Sequence, residues 1–433
     1  MQSCLPSLLQ TEEWSAAELD SVIHLFKAQW HHLQGSCVAL LVERDLLSVA
    51  ALLALLELQC HVIVPPTRDP LRRAQMLALS PIHLAPLLKS ESSPLARHER
   101  TDSLNADAIL ELCSSGTLGG SKSVLLSITG LIASAQSVST HWPSSARVGL
   151  SLPLDHVAGV GLVLRARIIG ASLVSPSPPS LAAWARLQPS HWSAVPAQLL
   201  RWRVEDEERL LQLFQGTRCC ILGGAPAPAP LLNWARQRDL PLMQSYGLTE
   251  MASTVGLTPL GDPNAPFIAL SHCEVTCRQG ELFVRGGSMA LAIRRDGLIC
   301  PLPLEGGWHA TRDAGRLEGD GFRWCGRLDR VLNSGGEKIH PERIEEWLLA
   351  RGACQAGVTG IDHPVWGMRP VAVCSPLPAA EETLKHELRE QLGALYVPVH
   401  IFPAPPSLLN KPKWGQRDLL EVWQQNRSAS SHT

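Results

Sequence analysis

The sequence predicts an α/β protein of two domains. Residues 1–328 form a large N-terminal domain of parallel-sheet α/β subdomains with a small antiparallel unit, and residues 329–433 form a small α+β C-terminal domain. Three observations predict this. The chain has 433 residues, more than one ordinary core holds. Short apolar runs alternate with longer helical patterns from about residue 36, and repeated strand-helix-strand units make parallel sheets covered by helices. After about residue 265 the pattern changes to short strands with Gly-rich turns, followed by a last segment with its own helices and strands.

Residues 37–42, 61–64 and 108–113 read as strands, with a helix over 45–58 between the first two. The alternation returns as strands at 147–152, 171–174 and 219–222, and helices at 157–169, 181–187 and 229–238. Ligands of such sheets collect at the carboxyl ends of the strands. Residues 280–285 and 319–326 read as the antiparallel unit. In the C-terminal domain, 342–350 and 381–392 read as helices, 357–361 and 371–374 as strands, and the polar 426–433 as a frayed end.

The 38 Lys+Arg against 40 Asp+Glu leave a net charge of -2, which attracts neither nucleic acid nor an anionic membrane at long range. An anionic ligand must be held locally. The 12 cysteines are scattered, and Cys219-Cys220 and Cys273-x3-Cys277 lack zinc-site spacing, so free thiols are expected. The apolar run 46–56 falls well short of the roughly 20 residues that span a bilayer. Residues 1–15 carry acidic side chains and no basic lead into an apolar run, unlike a secretory signal. These features predict a reduced, cytoplasmic enzyme.

The strand at 108–113 runs into Ser114-Ser115-Gly116-Thr117-Leu118-Gly119-Gly120-Ser121-Lys122. Glycines turn backbone N–H groups toward an anion, hydroxyls add donors, and Lys122 supplies a point charge, a set that suits polyphosphate. A flexible polar turn is the plainer alternative. The nucleotide loop G-x-x-x-x-G-K-S/T is missed because Ser121 stands where its second glycine belongs, which argues against a P-loop hydrolase.

Further strings follow. They are Leu152-Pro153-Leu154-Asp155-His156-Val157-Ala158-Gly159, Leu222-Gly223-Gly224-Ala225, Ser245-Tyr246-Gly247-Leu248-Thr249-Glu250, Thr311-Arg312-Asp313, Gly326-Arg327-Leu328-Asp329-Arg330, and the run from Ser334-Gly335-Gly336-Glu337 to Glu345. Singly, each has a bland use: a histidine before a helix as a cap or core residue, glycines as tight turns, Thr-Glu as a cap. The third has chemistry of its own, since an aromatic face stacks on adenine, a hydroxyl reaches phosphate and a carboxylate holds Mg2+.

In this order and spacing the strings resemble the adenylate-forming superfamily of acyl-CoA ligases, luciferases and peptide-synthetase adenylation domains, over almost the whole chain beyond its first hundred residues. The resemblance implies that Ser114, Ser115, Gly116, Thr117, Gly119 and Lys122 hold the phosphates of ATP. It places His156 beside the acyl pocket, Gly223, Gly224, Tyr246 and Gly247 around adenine, Thr249 at the phosphate and Glu250 on Mg2+. Asp313 and Arg327 would hold the ribose, Asp329 would be the hinge of a mobile C-terminal domain, and Ser334, Gly335 and Gly336 would line the entry path of coenzyme A. Leu118, Ser121 and Arg312 depart from the family pattern. The family's late lysine, usually in G-K-x-x-R, has no Gly-Lys counterpart in Asn410-Lys411-Pro412-Lys413-Trp414-Gly415-Gln416-Arg417; Lys413 has the nearer spacing to Arg417, and Lys411 is the alternative.

The implied reaction is ATP-dependent activation of a small-molecule carboxylic acid as its adenylate, then transfer to CoA. Thr311-Arg312-Asp313, the string from Ser193 to Leu199, Leu222 to Pro226 and the tail most resemble 2-succinylbenzoate-CoA ligases of menaquinone biosynthesis. Such an acid needs a cation for its remote carboxylate, and no sequence rule names that residue. Another aryl- or acyl-CoA ligase, an adenylation enzyme loading a carrier protein, a luciferase-type activity and a nonenzymatic nucleotide sensor are the alternatives, and homo-oligomerisation is left open.

Overall fold

The computed structural model describes residues 11–67, 69–80, 82–85, 108–113, 122–409, 411 and 414–430. Its strands form four sheets. In the seven-stranded sheet, His61–Val64 lies between Cys37–Leu40 and Ile109–Cys113, all parallel. In the eight-stranded sheet, Arg147–Gly149, Ser172–Val174, His191–Ala194, Cys219–Leu222 and the start of Leu242–Leu248 run parallel. The parallel cores of both sheets are extended at their flanks by strands that pair antiparallel: Lys122–Ser127, Ala292–Arg295, Ser253–Leu257 and Glu13–Trp14. Ala292–Arg295 and Leu298–Pro301 follow the start of the antiparallel unit in sequence yet return to the seven-stranded sheet. The antiparallel unit itself is a four-stranded sheet of Cys273–Arg278, Glu281–Gly286, His309–Glu318 and Gly321–Arg327.

One buried cluster joins the two large sheets. It takes Val62, Leu110 and Val124 from one, Val148 and Leu173 from the other, and the helices Ala16–Trp30, Leu46–Glu57, Ile128–Ser139 and Val157–Ile169. Leu46–Glu57 is buried on nearly all sides, which is why its sequence shows an unbroken apolar run rather than a stripe. Ala16–Trp30 begins with a reciprocal capping box between Ser15 and Glu18, a signal present in the sequence ahead of the first element assigned from it.

After residue 329 a five-stranded sheet (Leu332–Ser334, Glu337–Ile339, Gln355–His363, Gly367–Ser375, Ile401–Pro403) packs with the helices Pro341–Ala350 and Glu381–Leu392. Its core cluster runs from Leu332 to Ile401 and takes no buried member from before Leu332. Leu349 packs both on this core and on the cluster around Leu231 and Trp234, so Pro341–Ala350 touches the helix Ala229–Gln237. The frayed end expected from residue 426 is corrected as far as Ser430: the helix Gln416–Ser430 is anchored by Leu419 and Val422 against Val373, Leu408 and Trp414. Among the described residues no helix is long and apolar enough to cross a membrane, and no group of three or more His, Cys, Asp or Glu is placed to hold a metal ion.

Candidate active site

The carboxyl ends of two parallel strands carry Gly223-Gly224 and the string from Tyr246 to Glu250. Gly223 and Gly224 follow Cys219–Leu222, beside Ser245. Leu242–Leu248 ends in an irregular ladder, with a register shift between Tyr246 and Gly247. A side chain at Gly247 would place its Cβ 2.0 Å from the Ser253 carbonyl oxygen, so the bulge requires glycine there. The shift turns the following residues into the short 3-10 turn Thr249–Met251, which presents Thr249 and Glu250.

Tyr246 and Asp313 meet directly. The phenol donates to Asp313 Oδ2 at 2.7 Å, and burial together with the adjacent carboxylate pushes it well above its usual titration range, so it remains a donor. Its ring is 7 % exposed and edge-on to Phe322 with centroids 5.3 Å apart. Tyr246 is thus largely packed within the protein, with its hydroxyl held by Asp313. Asp313 Oδ1 accepts from Trp324 Nε1 at 3.1 Å and Arg327 Nη1 at 3.3 Å. A carboxylate has about four acceptor positions, so capacity remains for a ligand hydroxyl.

Arg312 has φ +62, the left-handed region, and its N–H donates to Glu281 Oε1 at 2.9 Å. That conformation costs a non-glycine residue about 1 kcal/mol, a physical reason for the glycine in the family's version of this string. Thr311 secures the turn: its hydroxyl donates to the Leu282 carbonyl at 2.7 Å and accepts from Asp313 N–H at 3.1 Å.

Lys122 enters the site from the neighbouring sheet. Its ammonium pairs with Glu250, and the two side chains are 23 % and 13 % exposed. Burial works to raise the Glu250 carboxyl, but the Lys122 charge and hydrogen bond hold it below its ordinary range. The lysine expected on phosphate and the carboxylate expected on Mg2+ thus hold each other.

Two arginines bracket Asp329. Arg327 donates to Asp329 at 2.9 and 2.6 Å and to the Thr311 carbonyl at 3.2 Å, besides Asp313. Arg330 donates to Glu342 at 3.1 Å, Glu345 at 2.5 Å and the Val358 carbonyl at 3.0 Å. The chain is fastened to the antiparallel unit on one side of Asp329 and to the C-terminal sheet on the other.

His156 is exposed and makes no side-chain cap on the helix Val157–Ile169. Asp155 beside it is buried and accepts from Thr67 N at 2.7 Å and Oγ1 at 2.8 Å. Ser334 is 0 % exposed, while Gly335 and Gly336 after it are exposed. That pair takes φ +59 and +88, and a Cβ on Gly335 would lie 2.6 Å from the Trp366 ring. Ser114, Ser115, Gly116, Thr117, Gly119 and Lys413 lie outside the described residues.

A family profile described as AMP-binding enzyme matches residues 76–290. The 2-succinylbenzoate-CoA ligase of Escherichia coli (strain K12) is 33% identical over 333 residues, covering 73% of this chain and 70% of that protein. The chain belongs to the AMP-binding, adenylate-forming family. The 2-succinylbenzoate-CoA ligase of Salmonella typhimurium is also 33% identical, over 71% of this chain and 67% of its own length. Among solved structures, an E. coli MenE variant with bound OSB-AMS has a TM-score of 0.78 at 26% identity, covering 94% of this chain and 93% of that one. Bacillus subtilis o-succinylbenzoate CoA synthetase, in complex with the acyl-adenylate OSB-AMP, shares the fold with a TM-score of 0.75 at 24% identity. The protein is an ATP-dependent, AMP-forming acid-thiol ligase.

One buried group of this ligase escaped sequence reading. Arg165, on the helix Val157–Ile169, is 2 % exposed and has no acidic partner among the described residues. Nη2 donates to Thr254 Oγ1 at 3.2 Å, the guanidinium lies 5.8 Å from the Trp142 ring centroid, and Nε has no partner. Burial lowers its pKa to about 10, so it stays charged. Its side chain folds back toward Gly161, one turn nearer the start of the helix at the strand ends. The available signal was an arginine one helical turn after Gly161 and Leu162, inside an otherwise apolar stripe.

Proposed function

We propose that the acid is 2-succinylbenzoate, that the product is its CoA thioester, and that the pathway served is menaquinone biosynthesis. The observation that carries the substrate is Arg165. Among the described residues this buried guanidinium has no counter-charge, which is costly, and a ligand carboxylate is a complement to it. A dicarboxylic acid has one carboxylate to be activated and another for this arginine. The named relatives support the same reading.

In the proposed reaction a carboxylate oxygen attacks the α-phosphorus of ATP in line with departing pyrophosphate, and the CoA thiol then attacks the acyl carbon of the adenylate, forming the thioester and releasing AMP. Such catalysis rests on positioning and charge neutralisation. Lys122 and the loop from Ser114 would hold the β- and γ-phosphates, Asp313 and Arg327 the ribose, Tyr246 and the Gly223-Gly224 turn the adenine region, and Lys413 the charge developing at the reacting centre. Glu250 fits Mg2+: its ionised carboxylate already holds one cation, the Lys122 ammonium, and Mg2+ typically takes one or two carboxylates while keeping phosphates and waters. When bound, the ion supplies charge neutralisation on the phosphates.

Residues 1–328 and 329–433 are proposed to turn about Asp329 between half-reactions, a reading supported by the fastening of Arg327 and Arg330 to opposite sides. Asp329→Pro should slow thioester formation from supplied acyl-adenylate about 10-fold or more while slowing acid-dependent ATP-pyrophosphate exchange far less. Equal losses in both would remove the hinge assignment.

ATP-pyrophosphate exchange across a panel of carboxylic acids, followed by CoA-dependent AMP release, tests the substrate. Exchange with benzoate or fatty acids but not with 2-succinylbenzoate would overturn it. Arg165→Gln should raise the KM for 2-succinylbenzoate about 30-fold or more, the usual effect of losing one side of a buried charge pair, with the KM for ATP unchanged. The same variant should melt no lower than wild type, because it removes an unpaired buried charge.

A further inference from the structure

Behind Lys122 lies a buried charged group that the reaction above does not use. Glu111, on Ile109–Cys113, is 0 % exposed, and four hydrogen bonds reach its carboxylate. Ser123 Oγ at 2.5 Å and Arg294 Nε at 2.8 Å donate to Oε1. Arg294 Nη2 at 3.0 Å and His61 Nε2 at 2.9 Å donate to Oε2. Burial alone would favour the neutral acid, yet the bonds from His61 and Arg294 hold Glu111 well below the usual carboxylate range. His61 is held above the usual imidazole range despite its own burial, by its bonds to Cys37 and Glu111.

These side chains come from four consecutive strands of the seven-stranded sheet: His61–Val64, Ile109–Cys113, Lys122–Ser127 and Ala292–Arg295. Glu111 sits mid-strand; Ser123 and Arg294 reach it from the end of the sheet where the chain leaves Cys113 and re-enters at Lys122, and His61 reaches it from the other end, where it lies opposite Ile109. Ser123 faces Cys113 on one side and Arg294 on the other, and Lys122 faces Arg295. Side chains alternate along a strand, so Ser123 lies on the face of the charged group while Lys122 shares the opposite face with Val124 and Leu126, both in the main core. Beside Glu111 on the same face the packing is apolar, with its register partners Ile63 against Met76 and Leu125 against Ala292. Apolar side chains would hold these strands as well or better, because a buried ionic group is weak as a stabiliser. What the group adds is directional fixation of the backbone that carries Lys122.

We propose that Glu111 is a positioning residue for ATP binding: by clamping Ser123 and Arg294 it fixes the strand end from which the Lys122 ammonium is presented to the polyphosphate. This rests on the assignment of Lys122 to the phosphates. The test uses the full chain in two assays, acid-dependent ATP-pyrophosphate exchange and thioester formation from supplied acyl-adenylate and CoA. The second assay needs no polyphosphate. Glu111→Gln should raise the KM for MgATP about 10-fold, as loss of a supporting contact around a ligand-binding group does, with the KM for the acid and the second assay within about 2-fold of wild type. Ser123→Ala removes one bond to the carboxylate and should shift the KM for MgATP in the same direction by about 3-fold, which keeps the proposal testable if Glu111→Gln folds poorly. Equal losses in both assays, the mark of a purely structural role, would overturn it. Lys122→Ala runs in parallel: a raised KM for MgATP there with unchanged values in Glu111→Gln and Ser123→Ala overturns the positioning role alone, and unchanged values in all three overturn the Lys122 assignment with it.

Discussion

Glu250→Gln is expected to lower acid-dependent ATP-pyrophosphate exchange by about 10²–10³, the usual effect of removing one preorganised charged contact. The substitution keeps size and hydrogen-bonding capacity and removes only the charge. Glu250 is held ionised by Lys122 against the opposing effect of burial, so the native site presents a fixed negative charge at neutral pH. Stability should change much less than activity. Lys122 keeps 23 % of its side chain exposed and can turn to water when its partner becomes neutral, unlike a fully buried cation. The sign with pH also follows. A depressed carboxyl stabilises the fold above its unfolded value of about 4.3 and loses that contribution as pH falls through the folded value, so the gap in melting temperature between wild type and Glu250→Gln should close in acid. Exchange by the variant at near wild-type rate would end the assignment of Glu250 to the nucleotide site.

The elements that were legible carry their own local signals. Val157–Ile169, Leu181–Leu187, Cys219–Leu222 and Glu381–Leu392 were read with their observed bounds, because an apolar run or stripe and a turn at each end are properties of the segment itself. Ala292–Arg295 was not placed, because its neighbour is Lys122–Ser127 and nothing local to Ala292 encodes a partner so distant in sequence. Ala16–Trp30 was missed although its Ser15-Glu18 box was readable. In the site, residues from strings far apart in sequence come together, Tyr246 with Asp313 and Lys122 with Glu250. Strings do not encode orientation. Ser334 belongs to the most specific run in the chain and is buried, while its two glycines are not. Arg165 and Glu111 belong to no string, and their meaning comes from what surrounds them: among the described residues the first has no acidic partner and the second pairs with His61 and Arg294.

Lys413→Ala should reduce acid-dependent pyrophosphate exchange by about 10²–10³ and leave thioester formation from supplied acyl-adenylate within about 2-fold of wild type. The split follows if the lysine acts only while its domain faces the α-phosphate. The rival, Lys411, is engaged elsewhere: its ammonium donates to Asp418 Oδ1 at 2.6 Å, while Asp418 Oδ2 accepts from Gly415 N–H at 2.8 Å. Those bonds tie residue 411 to the first turn of Gln416–Ser430, and its backbone carbonyl accepts from Gln355 Nε2 at 3.3 Å in the sheet of the same domain. A lysine so tethered supports the C-terminal fold, and reaching a nucleotide would mean giving up its ion pair. Lys411→Ala should therefore cost at most about 1 kcal/mol of stability, the range of a partly exposed ion pair, and leave exchange nearly unchanged. Loss of exchange in Lys411→Ala with wild-type behaviour in Lys413→Ala would reverse the assignment and require the Asp418 contact to break during the adenylation step.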